Sequence, residues 1–407
     1  MKKVISATLM GISTLLMSAQ TNVVKEAGND LKSSNPDYVA IVNKLKPAME
    51  NPETANDVNT WFYAGKASIG NFDELYKRFK IGQEVSFPTM GNALMDGINY
   101  FLVALPLDSV PDAKGKIKAK NSKEMIKQIK ENYSILAEMG DNLYNDKSYN
   151  DAYKAYDMYL NLPYNPVLGK NAPAAQPDSV LSLVAFNKGI ASWQGDSLQN
   201  ALSSFRQAIR LGYNQKHIYD YAIAVAANLN DKDAIIELAT EAYPLYGHED
   251  VKYLQCLINP KIEAKEYDEA RDMLLEALQQ QPDNGQIYFS LGTIEDIQEN
   301  RDKAIEYYKK ALELNPQLSI AKLYLGQALY NQAAVKDDEA SQLSTSEYLQ
   351  IKENEIKPLF NQAIPYLEAA YAEDSENLRS ALNLLRTIYY NLEDATNLER
   401  IEQLLND

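Results

Sequence analysis

A chain of 407 residues with 45% hydrophobic residues can hold two or three ordinary domains or one continuous array of repeats, and it is too apolar for wholesale disorder. Its formal net charge is −16, and two units more negative if a segment carrying Lys2 and Lys3 is removed; such a surface repels phosphate backbones and anionic lipid. No Lys/Arg cluster with interleaved aromatics offsets this, which excludes nucleic acid and favours a neutral-to-basic partner.

In chain order, Lys2 and Lys3 precede the apolar run Val4–Met17, which small residues Ser18 and Ala19 follow. The run is short for a bilayer span and fits the core of a secretory signal over residues 1–20, cleaved after Ala19 or after Gln20. No later segment has the length of a membrane span. Cys256 is the only cysteine, so no intrachain disulfide forms and no lipobox cysteine follows the apolar run. A periplasmic or extracellular protein without a lipid anchor is the expectation, with Cys256 as an inert structural thiol.

From about residue 35 onwards one pattern recurs. A small residue stands at Gly97, Ala152, Ala201, Ala234, Ala270, Ala304 and Ala363. Four residues on comes a large apolar one: Phe101, Tyr156, Phe205, Leu238, Leu274, Tyr308 and Leu367. Three further on stand Ala104, Tyr159, Ala208, Glu241, Ala277, Ala311 and Ala370. Spacings of four and three share one face of an α-helix, so each segment carries a knob between two hollows. Upstream of each lies a second helical run with its own residue at the close-packing position: Gly65, Gly140, Gly189, Ala222, Ile258, Gly292 and Gly326. Pro282 and Pro316 end two of the second helices.

The pattern resembles the tetratricopeptide repeat (TPR), most closely over Gly285–Leu318 with Tyr288, Leu291, Gly292, Ala304, Tyr308, Ala311 and Pro316, and with Glu295 where Tyr is usual. Trp61 and Gly65 supply the Trp…Gly pair of the first unit. The resemblance implies an all-α fold, a right-handed TPR-type superhelix (an α-solenoid) of about seven helix pairs plus capping helices. In layout the chain is similar to secreted TPR proteins of Gram-negative bacteria.

The expected organisation is a cap and first unit over 35–107, a linker over 108–121, an array over 122–377 and a capping helix pair over 378–407. The cap's helix, about Asp37–Met49, reads as half a unit. Array units begin near 133, 182, 215, 251, 285 and 319. Extra residues lie around 71–91, 163–179 and 331–355, and Pro260 is expected to kink or shorten its helix. The tripeptide Asp-Ser-Val, at 108–110 and 178–180, looks like a short bacterial O-glycosylation motif placed in loops.

Catalytic chemistry has no signature. His217 and His248 are the only histidines, no His or Cys pair has zinc-ligand spacing, and no nucleophile-elbow or phosphate-loop motif occurs. No catalytic residue, metal site or cofactor is expected. The resemblance implies instead a groove lined chiefly by the second, fifth, ninth and twelfth positions of the first helices. Four of the seven fifth positions and three of the seven twelfth are aromatic, and the candidates taken from these and the ninth positions are Phe62, Tyr144, Phe186, Ile190, Trp193, Tyr219, Ile223, Phe289 and Tyr330. The groove reading is an aromatic-lined face that grips a protein or peptide; the competing reading is packing between neighbouring helices. Lys66 and Asn187 alone do not make the basic set that binds acidic C-terminal peptides. A non-enzymatic secreted scaffold is the expected function, with an envelope carbohydrate- or small-ligand-binding protein as the alternative.

Overall fold

The computed structural model describes residues 20–110, 115 and 119–406, so the expected signal run at Val4–Met17 lies outside the described residues. The described residues are helical, without a strand, and the chain divides into two compact units, Met1–Ala234 and Ile235–Asp407.

In the first unit, residues 20–30 form α1, followed by α2 (Tyr38–Glu50), which Asp37 caps by accepting from the Ala40 N–H at 3.0 Å. Val24 and Ala27 of α1 are buried with Ile41, Leu45 and Ala48 of α2 against Ala64 and Ala67. The N-terminal cap is therefore a helix pair and not the half-unit expected from about Asp37. Its first half escapes the repeat pattern because α1 buries only Val24, Ala27 and Gly28, with no large knob among them.

The next pair is long: α3 (Val58–Lys80) and α4 (Phe87–Asp108) have 23 and 22 residues, so the extra residues around 71–91 extend both helices. Then come α5 (Ser122–Asn132), the pair α6 (Ile135–Asn145) and α7 (Tyr149–Asn161), the pair α8 (Asp178–Gln194) and α9 (Leu198–Arg210), and α10 (Lys216–Asn228). Between α4 and α5 the buried Asp108 carboxylate accepts from the N–H of Asn121 (2.9 Å) and Ser122 (2.7 Å) and from the Ser122 hydroxyl (2.7 Å). Desolvation raises this carboxyl, but those bonds and one from Lys120 N–H outweigh it and hold the group below its ordinary value. The two Asp-Ser-Val tripeptides do not lie in loops. One straddles the end of α4, and the other is the first turn of α8.

The division between the units falls in α11 (Lys232–Tyr246). The second unit continues with the pairs α12 (Lys252–Glu263) and α13 (Tyr267–Gln280), then α14 (Gly285–Ile297) and α15 (Arg301–Leu314). Next are α16 (Ser319–Ala340), a short α17 (Thr345–Ile351), a π-helical stretch at Lys352–Ile356 and α18 (Lys357–Glu373), before the final pair α19 (Ser380–Asn391) and α20 (Ala395–Asn406). Residues 331–355 lengthen α16 and build α17, whose start is a reciprocal cap between Ser344 and Glu347. Pro260 lies within α12 without ending it. It occupies the last turn, where only one helical bond is forfeited. In α11 the third small position is Ala242, which is buried, whereas Glu241 is exposed.

One steric rule recurs in five of the pairs. Gly65 faces Phe101, Gly140 faces Tyr156, Gly189 faces Phe205, Gly292 faces Tyr308 and Gly326 faces Leu367, and at each glycine a Cβ would lie inside 3.0 Å of that side chain. The small residue of the first helix and the knob of the second are thus a single contact. Glycine costs about 1 kcal/mol of helix propensity relative to Ala, and here it makes room for a buried ring or branched side chain.

A second regularity lies in the turns inside the pairs. Lys147, Asp196, Asn230, Lys265, Glu299 and Glu393 all have φ between 55° and 65°, the left-handed region that glycine normally fills. At each, the residue donates its N–H three residues back and the next residue donates five back, as in Asp196→Trp193 and Ser197→Ser192. Asp196, Asn230, Lys265 and Glu299 follow one another at 34, 35 and 34 residues.

Candidate functional site

The expected groove residues do not behave alike. Phe62 is 6% exposed, its ring 6.3 Å from Phe101, and Tyr219 is 5% exposed, so neither opens onto a face. Tyr219 shares the buried stripe of α10 with Ile218, Ala222, Val225 and Ala226. The ring that α10 presents to its neighbours is Tyr221, at the edge of that stripe, three residues from Ile218 and four from Val225. Tyr221 lies 5.5 Å from Trp193 and 6.2 Å from Phe186. Ile223 is half-buried on α10. In the second unit Phe289 packs edge-on to Tyr324 (5.3 Å) and Tyr330 lies 5.9 Å from Phe360, both half-buried.

Three of the expected residues do converge. Tyr144 on α6, with Phe186 and Ile190 on α8, line a pocket of about 350 Å³, which Asp141 and Asn145 of α6, Asn187 of α8 and Tyr156 complete. The spacings explain the convergence. Positions 141, 144 and 145 share one face of α6, and 186, 187 and 190 share one face of α8. The Tyr156 hydroxyl donates to Asp141 Oδ1 at 2.6 Å, and burial followed by this bond pushes its pKa well above the ordinary phenol value. It therefore remains a neutral donor that fixes the carboxylate. Apolar walls with a carboxylate and two carboxamides suit an apolar side chain whose flanking backbone needs hydrogen-bond partners.

Phe186 is also the wall between this pocket and an aromatic cluster that the periodic pattern does not reveal. Its other contacts are Tyr213, stacked at 4.6 Å and 6°, and His217, edge-on at 5.2 Å. The Tyr213 hydroxyl and His217 Nε2 are 3.1 Å apart. Tyr213 belongs to the turn before α10, where a helix-position rule has no purchase; the only clue in the sequence is the aromatic density of "YNQKHIYDY" at 213–221. Beside the pocket, Lys188 is 6% exposed and its ammonium is bound by Asp157 Oδ1 and Gln207 Oε1, each at 3.0 Å. Lys66, considered for a peptide clamp, is engaged with Glu124 at 2.8 Å.

Among the described residues the thiol and the buried carboxylates are engaged in packing. Burial raises the half-buried Cys256 thiol, which keeps it protonated and a poor nucleophile. Among the described residues, no group of three or more His, Cys, Asp or Glu side chains is placed to hold a metal, and no helix is long and apolar enough to cross a membrane. Glu295 is 2% exposed, yet it is fully used in packing: Arg271 Nε donates to it at 2.9 Å and Asn300 Nδ2 at 2.8 Å. Arg271 also bonds Asp268 and Gln298, so this carboxylate, standing where the repeat usually has Tyr, ties α13 to α14.

Helix pairs with glycine–knob contacts, left-handed turns at repeat spacing and a pocket between successive first helices define a helical-repeat protein. The tetratricopeptide repeat family model matches residues 285–318, the segment in which Gly292 meets Tyr308, so this segment is a tetratricopeptide repeat. No curated protein matches the chain in sequence. Similar solved structures include Pseudomonas aeruginosa pilF, with 18% identity, covering 56% of this chain and 92% of that one, at a TM-score of 0.41. The C-terminal part of a TPR repeat-containing protein from Cytophaga hutchinsonii has 13% identity, 64% and 91% coverage and a TM-score of 0.40. YrrB, described as a TPR protein with an unusual peptide-binding site, has 18% identity, 49% and 94% coverage and a TM-score of 0.33.

Proposed function

We propose that this protein is a non-enzymatic scaffold that holds a polypeptide segment of a neutral-to-basic partner in the groove between α6 and α8. The carrying observation is the pocket itself, in which Tyr144, Phe186 and Ile190 offer apolar walls while Asp141, Asn145 and Asn187 offer hydrogen-bonding groups. An apolar anchor of the partner fills it, its backbone pairs with the carboxamides, and a basic neighbour meets Asp141. The net charge of −16 speeds encounter with such a partner at low salt. We read Val4–Met17 as an export signal, so the partner is met in the periplasm or outside the cell; sequencing the N-terminus of the mature protein tests this, and an intact Met1 refutes it.

Selection from a random peptide library against the purified full chain tests the groove. Enriched peptides should carry an apolar residue beside Lys or Arg. Tyr144→Ala, in a protein whose helical circular dichroism is unchanged, should weaken them by about 2 kcal/mol, roughly thirtyfold. Peptides that bind the variant as well as the parent would refute the groove, and glycans bound in place of any peptide would favour the carbohydrate-binding alternative.

A further inference from the structure

We propose that a second cleft, between the second helices α4 and α7, is a binding site for a primary ammonium group on an aliphatic stem. The cleft, about 380 Å³, is lined from α4 by Asp96 and Asn99 among others, and from α7 and the turn after it by Asn161 and Leu162 among others. It is separate from the α6–α8 groove and shares no residue with it.

The charge balance of the cleft singles out Asp96. Lys154, on the rim, is committed to Asp151 at 2.8 Å, and Asp157 is committed to the buried Lys188 at 3.0 Å. No ion pair or hydrogen bond joins the Asp96 side chain to any described residue, and the side chains of Asn99 and Asn161 are equally unengaged. One carboxylate and two carboxamide oxygens are three acceptors, the number of donors on an ammonium group. Met95, Leu102, Met158 and Leu162 supply apolar surface for a methylene stem. The Asp96 side chain is solvent-exposed, yet its partial burial by the cleft walls raises the carboxyl above its ordinary value, with Lys46 and Lys154 opposing the rise and Asp151 adding to it, so a cation seated in the cleft favours the charged form.

Such an ammonium comes either from a lysine side chain of a protein partner or from a free diamine, and one experiment separates these sources. Met95 and Met158 both line the cleft, so methyl NMR of the full chain labelled at methionine, assigned by Met→Leu substitutions, reports on it directly. The probes are Nα-acetyl-lysine methylamide, 1,5-diaminopentane and, as the uncharged control, the Nε-acetylated form of the first. Saturable shifts of the Met95 and Met158 methyls are expected with at least one amine and not with the control. Asp96→Asn, which keeps the shape of the side chain, should weaken that binding about tenfold while leaving the Met90 and Met139 signals in place. Tighter binding of the lysine derivative assigns the site to a partner's lysine, and tighter binding of the diamine to a free amine. No saturable shift of these two methyls with either amine, or equal affinity in Asp96→Asn, would overturn the proposal.

Discussion

Gly189→Ala is the sharpest probe of the rule that builds the helix pairs. A Cβ at Gly189 would lie 2.5 Å from Phe205 Cε1, at least 1 Å inside an ordinary carbon–carbon contact. Phe205 cannot swing aside, because it is fully buried and bordered by Phe186 at 6.0 Å and Trp193 at 6.4 Å. Overpacking of this kind costs about 1–3 kcal/mol, and Ala returns roughly 1 kcal/mol of helix propensity. With the ring hemmed in, the net expectation is a loss of about 1–2 kcal/mol. Urea unfolding followed by Trp193 fluorescence, in a Trp61→Phe background with a single reporter, measures it locally, which matters in a repeat protein whose parts can unfold separately. The sign should reverse in a Phe205→Val background, where the offending ring atoms are gone and only the propensity gain of roughly 1 kcal/mol remains. If Gly189→Ala stabilises the otherwise unaltered protein by that amount, the glycine is not there for packing and the steric reading of the pattern fails.

Other expectations follow from single contacts. Arg271→Ala should cost about 3 kcal/mol in denaturant unfolding of the second unit, because it leaves the buried Glu295 carboxylate with only the Asn300 amide. Lys147→Gly and Lys265→Gly should each raise the midpoint of thermal unfolding, since relief of a left-handed conformation worth about 1–2 kcal/mol exceeds the added chain entropy of glycine, about 0.5–1 kcal/mol. A fall in the midpoint would show the turns to be unstrained. The contribution of Asp108 should be acid-labile: its folded pKa is depressed, so its stabilisation is present above the ordinary carboxylate pKa of about 4 and lost as pH falls through the lower folded value. Hydrogen exchange at the Asn121 and Ser122 amides should accelerate in Asp108→Asn at neutral pH, and unchanged protection would remove the carboxylate from that role.

The fold is legible in the sequence where sterics demand a residue type. Gly189 and Phe205 occupy one space, so a small residue and a large one at fixed helical positions make a readable pair, and the same holds for Gly292 with Tyr308. The turns are not legible, because Lys147, Lys265 and Glu299 occupy a conformation that only glycine or asparagine announces. Part of the site is legible for a related reason. Positions 144, 186 and 190 follow from helical spacing on α6 and α8, but the buried stripe of α10 takes in position 219, leaving the half-buried Tyr221 as the aromatic at its edge. Tyr213 reaches Phe186 from a turn, and Asp96 matters only through what its neighbours are already bonded to. Neither relation is periodic.

The recurrence of one backbone turn at 34- and 35-residue intervals bears on how such a chain changes length. Asp196 and Asn230 end their helices with nearly the same φ and with the same pair of N–H donations back to the helix, so the segment between them is a cassette whose two ends are interchangeable. Excising residues 197–230 rejoins the chain at a junction it already contains, whereas removing half that number would bring a first helix against the wrong face of its neighbour. Gain or loss of one whole pair is thus the smallest edit that leaves every surviving junction in its present geometry, and a ladder of such deletions would count out the protein in units of its own turn.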